Sequence, residues 1–136
     1  MNLTITYRRQ FAAAHRLTGL REGHKCMNPH GHNYVLEVTV AQHPARASGG
    51  LSNGMVIDVA DLAINLNPVV ARLDHKSIND AEISGPHSDR LRAQPTVENL
   101  ALWFWESLAF LSNDGRMNLT RVRVYETDHL WADVTA

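Results

Sequence analysis

A single cysteine, Cys26, among 136 residues excludes an internal disulfide framework and fits a reducing compartment. Long apolar runs are missing as well. None approaches the ~18 residues of a membrane span, and the opening residues MNLTITYRRQ lack the apolar core of a secretory signal, so a cytoplasmic location is expected and no membrane partner. Nor is there an excess of one charge. Thirteen Lys and Arg stand against 14 Asp and Glu, and the net charge of −1 gives no overall pull toward nucleic acid. Repeats and low-complexity tracts are absent. What remains is an ordinary globular balance, 44% apolar and 20% charged, in a length suited to one domain over residues 1–136. Histidine is plentiful: eight, several of them near Cys26.

Hydrophobic periodicity predicts the elements. Leu3, Ile5, Tyr7 and Phe11 share one face of a first strand, and Tyr34, Leu36, Val38 and Val40 one face of a second. Residues 43–54, rich in Pro, Gly and Ser, read as a loop. Asp58 is the expected N-cap of a helix bearing Leu62, Leu66, Val69, Val70 and Leu73, with a kink or a second short helix at Pro68. Residues 79–95 show no period and read as a long ordered loop. Thr96 opens a second helix bearing Leu100, Ala101, Phe104, Leu108 and Leu111, stopped at Ser112–Gly115. Two strands, 120–126 and 130–134, close the chain around a turn at Thr127–His129. The expected fold is α+β, in the order β-β-α-α-β-β: an antiparallel four-stranded sheet with two helices on one face.

Three histidines are placed as a metal site needs. His30 and His32, at i and i+2 in an extended chain, point to one face, and His15 at the end of the first strand comes alongside if the two strands pair antiparallel. Three imidazoles and a water make the open zinc arrangement of catalytic sites. The alternative is that H-x-H is coincidence in a histidine-rich chain. The other histidines divide differently: His24, His43 and His87 lie in polar loops and are expected to be exposed, and His129 to be a turn residue.

Cys26 is either a small buried hydrophobe or a base, its thiolate favoured by Lys25 and a nearby metal. In Asp74-His75 a carboxylate can hold an imidazole as a proton carrier; alternatively Asp74 caps a turn. Thr96 and Glu98 suit a helix start by cap and dipole chemistry alone. Glu126 falls on the apolar face of its strand and needs a partner. That partner is either an arginine or the planar guanidine-like edge of a ligand, which would offer two donors to the carboxylate.

The runs Phe11–His15, Cys26–Tyr34, Leu73–His75, Pro95–Asn99 and Tyr125–Thr127, in this order and spacing, resemble the family of 6-pyruvoyl-tetrahydropterin and 6-carboxy-tetrahydropterin synthases, the latter of queuosine biosynthesis. The resemblance implies the tunnelling fold, with trimers whose sheets close a barrel, stacked in pairs as a hexamer, and active sites between subunits. It implies zinc on His15, His30 and His32, and Cys26 as base with Asp74 and His75 contributed by another chain. Glu126 would anchor a pterin, with Thr96 and Glu98 lining the pocket, and the substrate would be 7,8-dihydroneopterin triphosphate. Arg16, Arg21 and Lys25 are candidates for the triphosphate by position only.

The three residues between Cys26 and His30, and the stretch Glu22–Cys26, resemble the carboxy branch. Asn28-Pro29, His32-Asn33-Tyr34 and Val124–Asp128 resemble the pyruvoyl branch, from which Val97 departs where a second threonine is common. The carboxy branch is the favoured expectation. Two other classes stay open: a zinc-dependent pterin binder or side-chain aldolase without the full triad, and a structural zinc protein with Cys26 as fourth ligand.

Overall fold

The structure, a computed structural model, describes residues 2–43, 53–113 and 115–136. Most of the loop expected over 43–54, and Asp114 of the expected helix stop, lie outside the described residues. The elements in chain order are strands β1 (Thr4–His15) and β2 (His30–Gln42), helix α1 (Val59–Ala71), the two-residue strand β3 (Lys76–Ser77), helices α2 (Ser88–Ala93) and α3 (Val97–Leu108), and strands β4 (Met117–Thr127) and β5 (Leu130–Thr135). The sheet runs β3-β1-β2-β4-β5. Every neighbour is antiparallel except β3, which lies parallel to β1 through Ala13 and Ala14. The sheet therefore has five strands where four were expected. Two residues of edge pairing carry no hydrophobic period from which to read them.

Strand alternation sorts the sheet into two faces. Phe11 and Ala13 of β1, Tyr34, Leu36, Val38 and Val40 of β2, and Val122 and Val124 of β4 are buried under the helices. From above, α1 contributes Leu62, Leu66 and Val70, and α3 contributes Leu100, Ala101, Trp103, Phe104 and Leu108. Phe11 stacks on Tyr34 with ring centroids 5.0 Å apart and meets the edge of Phe104 at 5.7 Å. The other face carries charge, paired across strands. Glu37 binds Arg8 at 3.2 Å and Arg121 at 3.0 Å. Arg123 grips Asp133 with two bonds of 2.7 Å, which hold that carboxyl below its usual range.

Both helix caps are as expected. Asp58 accepts from the Ala60 amide at 2.9 Å, and Thr96 from the Asn99 amide at 3.2 Å. Two expectations are corrected. Helix α1 continues through Pro68 rather than breaking there; Pro68 and Ile64 both face solvent, so the Ile64 carbonyl that loses its donor can bond water instead. Residues 79–95 are not one long loop: they hold a 3-10 turn at Ile78–Asp80 and the short helix α2, which buries Leu91.

Candidate metal centre

Pairing of β1 with β2 sets His15 directly opposite His30, and Ala13 opposite His32. All three imidazoles consequently rise on the helix-covered face at the open end of the strand pair, with ring centroids 4.6 to 5.0 Å apart. One ring nitrogen from each lies within 4.8 Å of the others.

The hydrogen bonds around the rings test whether a cation fits. His15 Nδ1 donates to the Pro95 carbonyl at 2.7 Å, and His30 Nδ1 to the Asn28 carbonyl at 2.7 Å. A carbonyl only accepts, so both Nδ1 atoms carry the proton and both Nε2 atoms present bare lone pairs. These two lone pairs face each other at 3.0 Å, an arrangement stable only with a proton or a cation between them. His32 Nε2 is buried and makes no hydrogen bond; Glu126 Oε1 lies 3.1 Å away but outside hydrogen-bond geometry. Bonds of about 2.0–2.1 Å at tetrahedral angles would set ring nitrogens about 3.3 Å apart, close to the 3.0 Å between His15 and His30 and within the span of the cluster. The donor set of three neutral imidazoles fits a divalent metal with an open coordination position.

Burial favours the neutral form of two of these imidazoles. Desolvation pushes His15 and His32 below the usual histidine value, and the Glu126 carboxylate opposes the shift in both without reversing it. Beneath the cluster, the fully buried Tyr34 hydroxyl lies 3.2 Å from His15 Nδ1, and desolvation pushes its phenol well above the usual tyrosine value.

Glu126 follows Val122 and Val124 on the helix-covered face, as alternation predicts, and also sits at an irregularity of the sheet. Tyr125 pairs with Trp131 but Thr127 with Leu130, so Glu126 is the extra residue of a β-bulge. Its carboxylate faces His32 and is 16% exposed. Between the two partners weighed for Glu126, an arginine is thus not the one found. One oxygen sits against His32 of the cluster.

Cys26 is half-buried in a 3-10 turn, Lys25–Met27, which His24 caps by accepting from the Cys26 amide at 3.1 Å. Its sulfur is not part of the three-histidine cluster. Asp74 Oδ1 accepts from the Ala12 amide at 3.0 Å and from His75 Nδ1 at 2.9 Å. The Ala12 bond, foremost among the causes, lowers the Asp74 carboxyl. His75 stands in the left-handed region at φ +60° with its side chain 82% exposed. No hydrogen bond joins Cys26 to Asp74 or His75 among the described residues. Thr96 and Glu98 open α3, directly after the Pro95 carbonyl that holds His15. Arg16, Arg21 and Lys25 are exposed around the Cys26 loop.

Three loop histidines differ from expectation, since His24, His43 and His87 are all partly buried. His87 Nδ1 lies 2.8 Å from Glu106 Oε1. Neither Tyr34 as a neighbour of the cluster nor the Pro95 carbonyl, which has no side-chain signature at all, is legible in the sequence pattern.

Fold and site together define an α+β protein with a candidate three-imidazole metal centre at one end of its sheet. The chain belongs to the 6-pyruvoyl tetrahydropterin synthase family, whose family model matches residues 4–136. It is 34% identical over 145 residues to a 6-carboxy-5,6,7,8-tetrahydropterin synthase of Rickettsia typhi, covering 97% of this chain and 99% of that protein. It is also 33% identical over 136 residues to the human 6-pyruvoyl tetrahydrobiopterin synthase, covering 92% and 86%. The solved structure of the Caenorhabditis elegans 6-pyruvoyl tetrahydropterin synthase superposes with a TM-score of 0.77 at 26% identity, covering 100% of this chain and 96% of that one.

Proposed function

We propose that the protein is a zinc-dependent 6-carboxy-5,6,7,8-tetrahydropterin synthase that converts 7,8-dihydroneopterin triphosphate to 6-carboxytetrahydropterin, acetaldehyde and triphosphate, a step of queuosine biosynthesis. The observation that carries it is the three-histidine cluster with two Nε2 lone pairs converging and a third ring nitrogen left without a partner. His15, His30 and His32 would hold the zinc, which when bound supplies Lewis-acid polarisation of substrate oxygens.

The chain's own residues do the rest. Glu126 receives the amino-pyrimidine edge of the pterin, and Thr96 and Glu98 line the pocket at the start of α3. Cys26 takes a proton from the substrate side chain as general base. Asp74 fixes the His75 ring through Nδ1, leaving Nε2 free to carry a proton. His75 points into solvent and has no hydrogen bond to Cys26 in its own chain, which supports a site completed by a second copy and hence a hexamer built from trimers.

The pyruvoyl reading, triphosphate elimination without carbon–carbon cleavage, is favoured by Asn28-Pro29 and His32-Asn33-Tyr34 and by the human relative. Purified, zinc-loaded protein incubated anaerobically with dihydroneopterin triphosphate separates the two by mass spectrometry of the products. Carboxytetrahydropterin with acetaldehyde is the expected result; a product keeping all side-chain carbons moves the protein to the pyruvoyl branch. Cys26→Ala is expected to keep zinc and lose turnover. Loss of zinc and of folding together would instead make Cys26 a structural ligand.

A further inference from the structure

Residues 16–29, between β1 and β2, carry Cys26 and are tied to the body of the protein by amide side chains from elsewhere in the chain. Gln94 grips the Thr18 backbone as a neighbouring strand would. Its Oε1 accepts from the Thr18 amide at 2.8 Å and from the Thr18 hydroxyl at 3.2 Å, while its Nε2 donates to the Thr18 carbonyl at 2.9 Å. Asn79 repeats the grip on Arg16, accepting from its amide at 2.9 Å and donating to its carbonyl at 3.1 Å. Between these two anchors, the Leu17 amide donates to the Cys26 carbonyl at 2.8 Å. The loop's start therefore holds the turn in which the cysteine lies.

The far side of the Gln94 clamp is equally fixed. Its carbonyl accepts from Asn99 Nδ2 at 2.8 Å and its amide donates to the Arg90 carbonyl at 3.0 Å. The next residue, Pro95, supplies the carbonyl that orients His15. Two consecutive residues thus hold the metal-site imidazole with one group and the cysteine loop with another.

We propose that Gln94 is a positioning residue that sets the place of the Cys26 thiol relative to the three-histidine centre. The proposal rests on the reading of Cys26 as the base. Asn79 secures only the Arg16 end. Without Gln94 the loop pivots there, through Gly19 and Gly23 at φ +67° and +78°. A displacement of about 1 Å at a reacting group is worth about 10²-fold in rate.

The test uses the full-length, zinc-loaded protein with Gln94→Ala and Gln94→Glu. The glutamate keeps the acceptor for the Thr18 amide and hydroxyl but sets a second carboxylate oxygen against the Thr18 carbonyl in place of the donor. In Gln94→Ala, zinc content stays stoichiometric, kcat falls about 10- to 100-fold and KM stays within about threefold. Cys26 is the chain's one cysteine, so its alkylation by iodoacetamide reads the loop directly, and the rate rises at least about threefold as the thiol is freed. Gln94→Glu, which keeps one side of the grip and turns the other repulsive, falls between the parent protein and Gln94→Ala in kcat and in alkylation rate. Unchanged alkylation in Gln94→Ala overturns the proposal, as does a loss of zinc in step with kcat. Retained turnover in Cys26→Ala would sink the base reading instead, and the alkylation comparison would still decide whether Gln94 places the thiol.

Discussion

Alanine at His30 and alanine at His15 delete the same chemical group from very different surroundings. His30 is half-buried at the start of β2, and its partner, the Asn28 carbonyl, is open to water. His15 is 2% exposed and its Nδ1 satisfies the Pro95 carbonyl in the interior. Zinc binding should suffer alike in both. Four-ligand structural sites bind with about 10–16 kcal/mol, so one ligand is worth about 3 kcal/mol, or about 10²-fold in affinity. Stability of the metal-free protein should separate them. His15→Ala leaves an orphaned buried carbonyl and a ring-sized void, together about 2–4 kcal/mol. His30→Ala lets water take over the Asn28 carbonyl and stays within about 0.5 kcal/mol. Urea unfolding of chelator-stripped protein, with competitive zinc titration in parallel, measures both quantities. Equal destabilisation by the two substitutions would refute the reasoning, and stoichiometric tight zinc in His30→Ala would refute the three-ligand assignment.

Glu126→Gln keeps the shape and removes the charge; zinc should stay while substrate KM rises about 10- to 100-fold, the worth of a hydrogen bond to a charged group, and an unchanged KM would take Glu126 out of the pocket. Thr96→Ala deletes the cap of α3 and should lower stability by about 1 kcal/mol in thermal unfolding, with zinc content unaffected. Burial lowers His15 and His32 in the fold, so an unfolded chain takes up protons near the ordinary histidine value that the folded chain resists. Metal-free protein should therefore hold full stability above about pH 6.5 and lose it as pH falls further, and a urea midpoint that rises on acidification would contradict this.

Much of the architecture was legible because it rests on side-chain periodicity. Strand alternation located β2 and the buried faces of α1 and α3, and Asp58 and Thr96 marked helix starts by chemistry that acts within three residues. The histidine cluster was legible for the same reason, since i, i+2 spacing and antiparallel pairing are local rules. What escaped depends on contacts distant in sequence. Strand β3 exists only through its pairing with β1, and the Gln94 and Asn79 grips span 76 and 63 residues. Helix α2 is too short to show a period, and Pro68 is tolerated because its side of α1 is wet, a property of packing rather than of composition.

The cross-strand charges on the uncovered face fit only the register that assembles the three histidines opposite one another. Alternation alone cannot tell the native pairing of β1 and β2 from one displaced by two residues, because both keep apolar groups inside. A two-residue slip would move Arg8 from Glu37 to Val35 or Thr39, and His15 from His30 to Asn28 or His32. The first change strands Glu37 without one of its two guanidinium partners, and the slip toward Asn28 also parts His15 from both other imidazoles. Arg8 and Glu37 lie seven residues from the histidine pair along both strands, and the one register that joins them is also the one that sets His15 opposite His30.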